Sequence, residues 1–154
     1  MKASSASSKR ALSTAHESAS GDVRQPFTNL RFRIAIEGIQ SAGAVEVVFP
    51  TARIVALPRK RREVQFDSLV IRRGLTRSTE WYDWWSQTRR SRRLPRRDVQ
   101  VALLDSNGVA TLRWVFPDSV PLSYSLSPLN ALLGETLIES LELQVGDFVL
   151  HRPE

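Results

Sequence analysis

The sequence predicts a mainly β fold: a small β-barrel or sandwich of about seven strands with one flanking α-helix. Three observations predict it. Apolar and polar residues alternate with period two in several short segments, an Asn-Gly turn joins two of them, and one stretch between Gly74 and Pro95 has helical spacing instead.

Order is expected from Pro26 onward. Residues 1–25 form a Ser- and Ala-rich tail whose first 20 positions hold 7 Ser and 5 Ala and no apolar run, so they read as disordered. Leu30, Phe32, Ile34 and Ile36 then alternate with Arg31, Arg33, Ala35 and Glu37, the pattern of a strand with one buried and one wet face. Gly38 ends it. Ala44 to Val55 resumes a strand-rich composition through Val45, Val47 and Phe49, with Pro50 marking an edge, a bulge or a strand end. Pro58 to Glu63 reads as a charged loop, and a further strand is expected from Val64 to Arg72 on Phe66, Leu69 and Ile71.

The helix is placed at Ser78 to Arg89, with Thr76 or Ser78 as N-cap, Glu80 in the first turn and Arg89 and Arg90 at its end. Trp81, Trp84, Trp85 and Thr88 recur at helical spacing, so one aromatic stripe should face the core. Val99 to Phe116 is the clearest hairpin. Val99, Val101 and Leu103 lead to Ser106-Asn107-Gly108, which tolerates the positive φ of a tight turn, and Leu112, Trp114 and Phe116 follow in strict alternation. A short strand is expected at Leu122 to Leu126, then a loop from Pro128 to Gly134. The last strand runs from Glu135 to about Val149, with Leu137, Leu141, Leu143 and Val145 on one parity and Thr136, Ser140, Glu142 and Gln144 on the other. The ordered domain is therefore drawn as residues 26–150, with 151–154 a C-terminal tail.

Composition narrows the function. The 154 residues are 42% apolar, with 7 Gly, 8 Pro and no Cys, which excludes collagen-like and wholly disordered chains, disulfide scaffolds, thiol catalysis and thiolate metal sites. No stretch has the apolar length of a signal segment or a membrane span. The 22 Lys+Arg and 16 Asp+Glu give a net charge of +6, which hides a segregation: +2 over residues 1–52, +10 over 53–97 and −6 over 98–154. Such a split fits either a polyanion partner or a second copy whose opposite face complements the first.

Catalytic constellations are scarce. The two histidines, His16 and His151, lie at opposite ends of the chain, and no phosphate-cradling glycine loop, HExxH or GxSxG is present. Asp105 precedes a tight turn and Asp147 follows Gly146, both ordinary places for a solvated aspartate. No enzyme activity, cofactor or metal is expected. The alternative function is a small nucleic-acid-binding β-barrel, in which Arg59 to Arg62 and Arg89 to Arg97 neutralise phosphates and the four Trp stack on bases. Against it, the spacing of Trp81, Trp84, Trp85 and Trp114 marks them as core of the helix and the hairpin.

One ordered set of motifs is more specific. Leu69-Val-Ile-Arg-Arg-Gly-Leu-Thr76, Glu80-Trp-Tyr-Asp-Trp-Trp85, Arg97-Asp-Val-Gln-Val-Ala-Leu-Leu-Asp105, Gly108, Arg113-Trp-Val-Phe116, Pro121, Leu129-Asn130 and Ile138-Glu-Ser-Leu-Glu-Leu143 follow one another, after an opening Asn29-Leu-Arg-Phe-Arg-Ile34. In order and spacing, over Phe27 to Phe148, this resembles the tail tube proteins of contractile phages and bacterial contractile injection systems. The resemblance implies a structural, self-assembling subunit: hexameric rings joined through sheet edges and stacked head to tail, with sheath, baseplate or other tube proteins as partners and DNA or effector protein passing through the channel. It implies assembly in the bacterial cytoplasm and residence in a virion tail or injection particle. The family's long, Gly-rich loop between the second and third strands, which reaches the neighbouring ring, is here reduced to Ala56-Leu-Pro58 and Arg59-Lys-Arg-Arg62, so the implied position is a principal tube subunit or a specialised one such as the initiating ring. Arg53, Arg59, Lys60, Arg61 and Arg62 are the expected inter-ring contact. The wet faces of the first and last strands, Arg31, Arg33, Glu37, Thr136, Ser140, Glu142 and Gln144, are the expected channel lining.

Overall fold

The computed structural model describes residues 26–28, 31–40 and 43–152; the tail expected over residues 1–25, and Leu30, lie outside the described residues. In chain order the elements are β1 (Phe32–Ile36), β2 (Ala44–Val48), β3 (Ala52–Leu57), β4 (Arg61–Phe66), β5 (Leu69–Gly74), α1 (Glu80–Arg90), β6 (Arg97–Leu104), β7 (Ala110–Leu126), β8 (Ile138–Gln144) and β9 (Val149–His151).

The long strand β7 organises the molecule. Its first half pairs with β6, which pairs with β1, and its second half pairs with β8, then β5, then β2; every pairing is antiparallel. The separate strand expected at Leu122 to Leu126 is the continuation of this 17-residue element. Pro117 and Pro121 do not end it because they sit where β7 changes partner: the ladder with β6 shifts register between Arg97 and Val99, and the ladder with β8 shifts between Pro121 and Ser123. Asp118, at the crossover, has a φ of 51°.

Conversely, two expected strands are split. The one drawn from Val64 breaks at Asp67-Ser68 into β4 and β5, and the β3–β4 ribbon forms a sheet of its own. The last strand begins at Ile138 and is interrupted opposite the β7 crossover: Val120 faces Gln144 and Val115 faces Val149, with Gly146-Asp147 between, and β9 carries the ladder through His151. Pro50 stands at a strand end, between β2 and β3.

Inward-facing residues of both halves form one core, in which Leu69, Ile71, Val99, Phe116, Leu141 and Leu143 are wholly buried. The helix starts at Glu80, and its N-cap is Thr79, whose hydroxyl donates to the Asp83 carboxylate at 2.8 Å. Thr76 instead accepts a bond from the Ser78 amide in the turn before it. Trp81 and Trp84 are buried, and Trp84 Nε1 donates to the Pro95 carbonyl at 2.6 Å, tying α1 to the approach of β6. At the corner leaving β1, Gly38 has a φ of +71°, and a Cβ there would lie 2.5 Å from Nη1 of Arg97, which donates to the Glu37 carbonyl.

Candidate assembly surfaces

Three surfaces and one buried cluster carry the chemistry. The cluster lies beneath α1. Arg73 and Glu139 are register partners on β5 and β8, each side chain 1% exposed, and Arg73 Nε donates to Glu139 Oε1. The other carboxylate oxygen accepts the Tyr124 hydroxyl at 2.7 Å. Arg73 Nη2 has no hydrogen-bond partner among the described residues, but the Trp81 ring lies 4.2 Å from the guanidinium carbon and supplies a negative π face. Burial, and then the bond to Glu139, push the Tyr124 pKa up, because an ionised phenol would face a carboxylate in a poorly solvated place. Tyr124 also packs edge-on to Tyr82 and stacks near Trp85, so the second half of β7 is fastened to the helix by both polar and aromatic contacts. Sequence reading passed over this cluster, although its signal was present: Arg73 is in phase with Leu69 and Ile71, and Glu139 with Leu141 and Leu143.

The first surface is the outer face of the four-stranded half. Glu46, Arg72, Ser140 and Ser125 form one row across it, and Val48, Val70, Glu142 and Ser123 the next. Arg72 bonds Glu46 at 2.8 Å and Ser140 at 3.2 Å, and Ser123 donates to Glu142 at 2.9 Å. The structure therefore brings Ser140 and Glu142 together, with Gln144 farther along the same strand and Thr136 just before it. Arg31, Arg33 and Glu37 lie on or beside β1, in the other half of the molecule; Arg31 donates to the Ser106 carbonyl and Glu37 accepts from the Asp98 amide.

The second surface is the β3–β4 ribbon. Arg59 and Lys60 form its turn with left-handed φ values of 65° and 59°, Arg61 and Arg62 begin β4, and all four are exposed. Arg53 is not at this tip: it sits near the ribbon's base, paired with Asp67 at 2.9 Å. The third surface is the exposed basic face of α1 and its exit, with Arg89, Arg90, Arg92, Arg93 and Arg96. Asp105 and Asp147 are both engaged in local turns. Asp105 caps the hairpin turn by accepting from the Asn107 and Val109 amides, and Asp147 accepts from the Phe148 amide.

Residues 28–149 match the model of the family described as T4-like virus tail tube protein gp19. The chain belongs to this tail tube family. No curated protein matches this tube protein in sequence. Among solved structures, a chain of the anti-feeding prophage (AFP) baseplate superposes with a TM-score of 0.64 at 18% identity, covering 83% of this chain and 97% of that one. A chain of the extracellular contractile injection system PVC sheath-tube complex in its extended state gives 0.65 at 15% identity, covering 85% and 95%. Hcp1 from Flavobacterium johnsoniae gives 0.61 at 13%, covering 79% and 95%. At these identities the structural likeness concerns the fold, and the family rests on the sequence match. The nucleic-acid-binding alternative is not favoured, since Trp81 and Trp84 are buried and Trp85 and Trp114 pack against the core.

Proposed function

We propose that this tube protein assembles into hexameric rings that stack head to tail, enclosing a channel through which DNA or effector protein passes, and that it has no catalytic role. The observation that carries the reading is the four-stranded half with its two unpaired edges. β2 ends the strand order on one side, and on the other Ser123 to Leu126 of β7 ladder only with β8 among the described residues. Because the four strands alternate in direction, the last strand of one copy is antiparallel to the first of the next, and the same joint repeats around a ring. Open edges then serve assembly and are no longer an aggregation hazard. The 6-fold symmetrised AFP baseplate, which contains a chain of this fold, supports the ring number.

In such a ring the hydrogen-bonded polar face, with Arg72, Ser140, Glu142 and Gln144, lines the channel, because α1 covers the opposite face. Arg31, Arg33 and Glu37 then fall outside the lining. The basic ribbon tip, Arg59 to Arg62, reaches the adjoining ring. Assembly takes place in the bacterial cytoplasm, and the finished rings belong to a virion tail or an injection particle, with sheath and baseplate proteins as further partners.

Negative-stain microscopy of the purified protein tests this. Rings about one subunit thick are expected. Rings that stack into tubes mark a principal tube subunit, and single rings that do not stack mark an initiating or terminal one. A monomer at all concentrations that shifts a labelled oligonucleotide with steep salt dependence would overturn the reading.

A further inference from the structure

We infer that the joint between neighbours in a ring is locked by one side chain: Leu126, on the free edge of β7, seats in an apolar groove beside β2 of the adjacent copy in the same ring. The inference deepens the tube reading above and rests on it. The groove has a volume of about 290 Å³ and is lined by Phe32, Val45, Val47, Phe49, Leu103 and Trp114. It lies between the β2 edge and the β1–β6–β7 sheet, since β1 and β2 stand at the two ends of the strand order and do not pair. Its one charged lining residue, Glu46, is already tied to Arg72, and Val45 and Phe49 are left 56% and 42% exposed.

A strand beside β2 would close this groove, and the register identifies what the matching edge carries. One row across the four-stranded half runs Ala44, Arg73, Glu139, Leu126, and another runs Val47, Ile71, Leu141, Tyr124. The middle members of both rows are buried, so Val47 at one edge and Tyr124 and Leu126 at the other stand on the inward face. Tyr124 is committed to Glu139 and to the helix of its own copy. Leu126 is 49% exposed, an aliphatic side chain on the inward face of an edge that has no further strand among the described residues.

Backbone pairing alone leaves the stagger of such a joint open, but a slip of one residue exchanges the two faces of a strand. With inward face joined to inward face, Leu126 of one copy meets Val45, Val47 or Phe49 of the next, and Ser123 and Ser125 continue the polar face that holds Arg72, Ser140 and Glu142. Slipped by one, the joint would set Leu126 on that polar face and Ser125 in the groove. Level rows bring Leu126 to Ala44 and Val45, and a stagger of two residues brings it to Val47, so the groove accepts it in either arrangement and rejects the odd ones. The occupant is the neighbour within the ring because that copy alone lays its β7 edge along β2. The same side chain that fills the groove thereby sets the register of the ring wall.

The absence of cysteine makes the joint addressable. Full-length Leu126→Cys is assembled under oxidising conditions with Val45→Cys, Val47→Cys or Phe49→Cys in turn, and with Val48→Cys, whose row partners Val70 and Glu142 place it on the opposite face. A disulfide is expected with at least one of the three groove positions and not with Val48. The bonding pair combined in one chain should give a covalent ladder that ends at the copy number of one ring. A bond to Val48, a ladder that runs past one ring, or no bond at any groove position in a mixture that microscopy shows to contain rings would overturn the lock while leaving the tube reading intact. Wild-type protein that forms no rings overturns both. A second readout compares adjacent positions on the one edge. Leu126→Asn should lower the fraction of protein in rings about tenfold or more with the subunit's thermal midpoint unchanged, whereas Ser125→Asn, facing the other way, should leave the rings as they are; equal effects of the two changes would refute the contact.

Discussion

The β5–β8 pair and the β3–β4 ribbon are both antiparallel ladders, and they have opposite fates. Arg73 and Glu139 face each other across the first at 1% exposure each, while Ile54 and Val64 face each other across the second at 67% and 55%. An ion pair is buried, and two β-branched aliphatics are left in water. The difference lies in the third element. Helix α1 lays Trp81 over Arg73 and Tyr82 and Trp85 against Tyr124, whereas the ribbon is a sheet of two strands with no third strand beside it among the described residues. An isolated two-strand ribbon is marginally stable in water. The uncovered ribbon is the surface that the proposed stacking of copies would complete.

The largest test of that comparison is Glu139→Ala. Removing one partner of a buried pair leaves Arg73 charged, desolvated and without its carboxylate, and also frees the Tyr124 hydroxyl, so urea unfolding should show a loss of about 3–5 kcal/mol. The matched change in the ribbon, Glu63→Ala, should stay within about 0.5 kcal/mol, because Glu63 is exposed. Replacing both partners, Arg73→Met with Glu139→Leu, should recover most of the loss. Equal stabilities of the two single variants would show that the pair is not held apart from water in solution.

Gly38→Ala comes next. The left-handed φ at this corner costs an L-residue about 1–2 kcal/mol, and the new methyl displaces Arg97 from the Glu37 carbonyl. A thermal midpoint lowered by several degrees is expected, and an unchanged one would mean that the corner relaxes freely.

A smaller effect is read through pH. The folded state holds Tyr124 above its ordinary pKa of 10.0, so its contribution to stability is complete below pH 10 and declines as pH rises beyond it. Tyr124→Phe should flatten the decline between pH 10 and 11. An identical slope in both proteins would show that the phenol does not meet Glu139.

Much of the fold was legible in the sequence, because alternation is a direct readout of which face is wet. Phe32, Ile34 and Ile36, the Val99 to Phe116 hairpin and the tryptophans of α1 all turn inward or pack against the core as their spacing requires. What misled was punctuation. Phe116 read as the end of one strand and Leu122 as the start of another, yet a bulge lets a strand pass through Pro117 and Pro121 while it exchanges partners, and that exchange is a long-range fact absent from local sequence. Asp67-Ser68 gave too weak a signal to split β4 from β5. Parity also located Arg73 and Glu139 on the core face, but a charge on an apolar parity becomes interpretable only when its opposite is known to be the register partner. The expected lining was half coherent for the same reason. Alternation identifies a wet face, and only topology assigns two wet faces to one sheet: Ser140 and Glu142 gain Arg72, Glu46 and Ser123 as neighbours, while Arg31 and Arg33 belong to a strand at the other end of the order.

The smallest effect on stability should carry the largest effect on assembly, and it lies in the ribbon. Ile54→Thr with Val64→Thr keeps two β-branched residues on a strand pair, so backbone preference is preserved while apolar surface is removed. In the isolated subunit the unfolding free energy should change by less than about 0.5 kcal/mol, since both side chains already contact water. If the ribbon meets the adjoining ring as proposed, the same side chains are covered in tubes, and sedimentation should show fewer stacked rings at equal protein concentration. Reversing Arg59 to Arg62 to Glu separates the two parts of that contact. If charge sets the polarity of stacking, the reversal weakens it most at low salt, and the difference from wild type shrinks as the Debye length falls from about 30 Å at 0.01 M salt to about 8 Å at 0.15 M. Stacking that ignores the reversal at every salt concentration would assign the joint between rings to its apolar contacts alone.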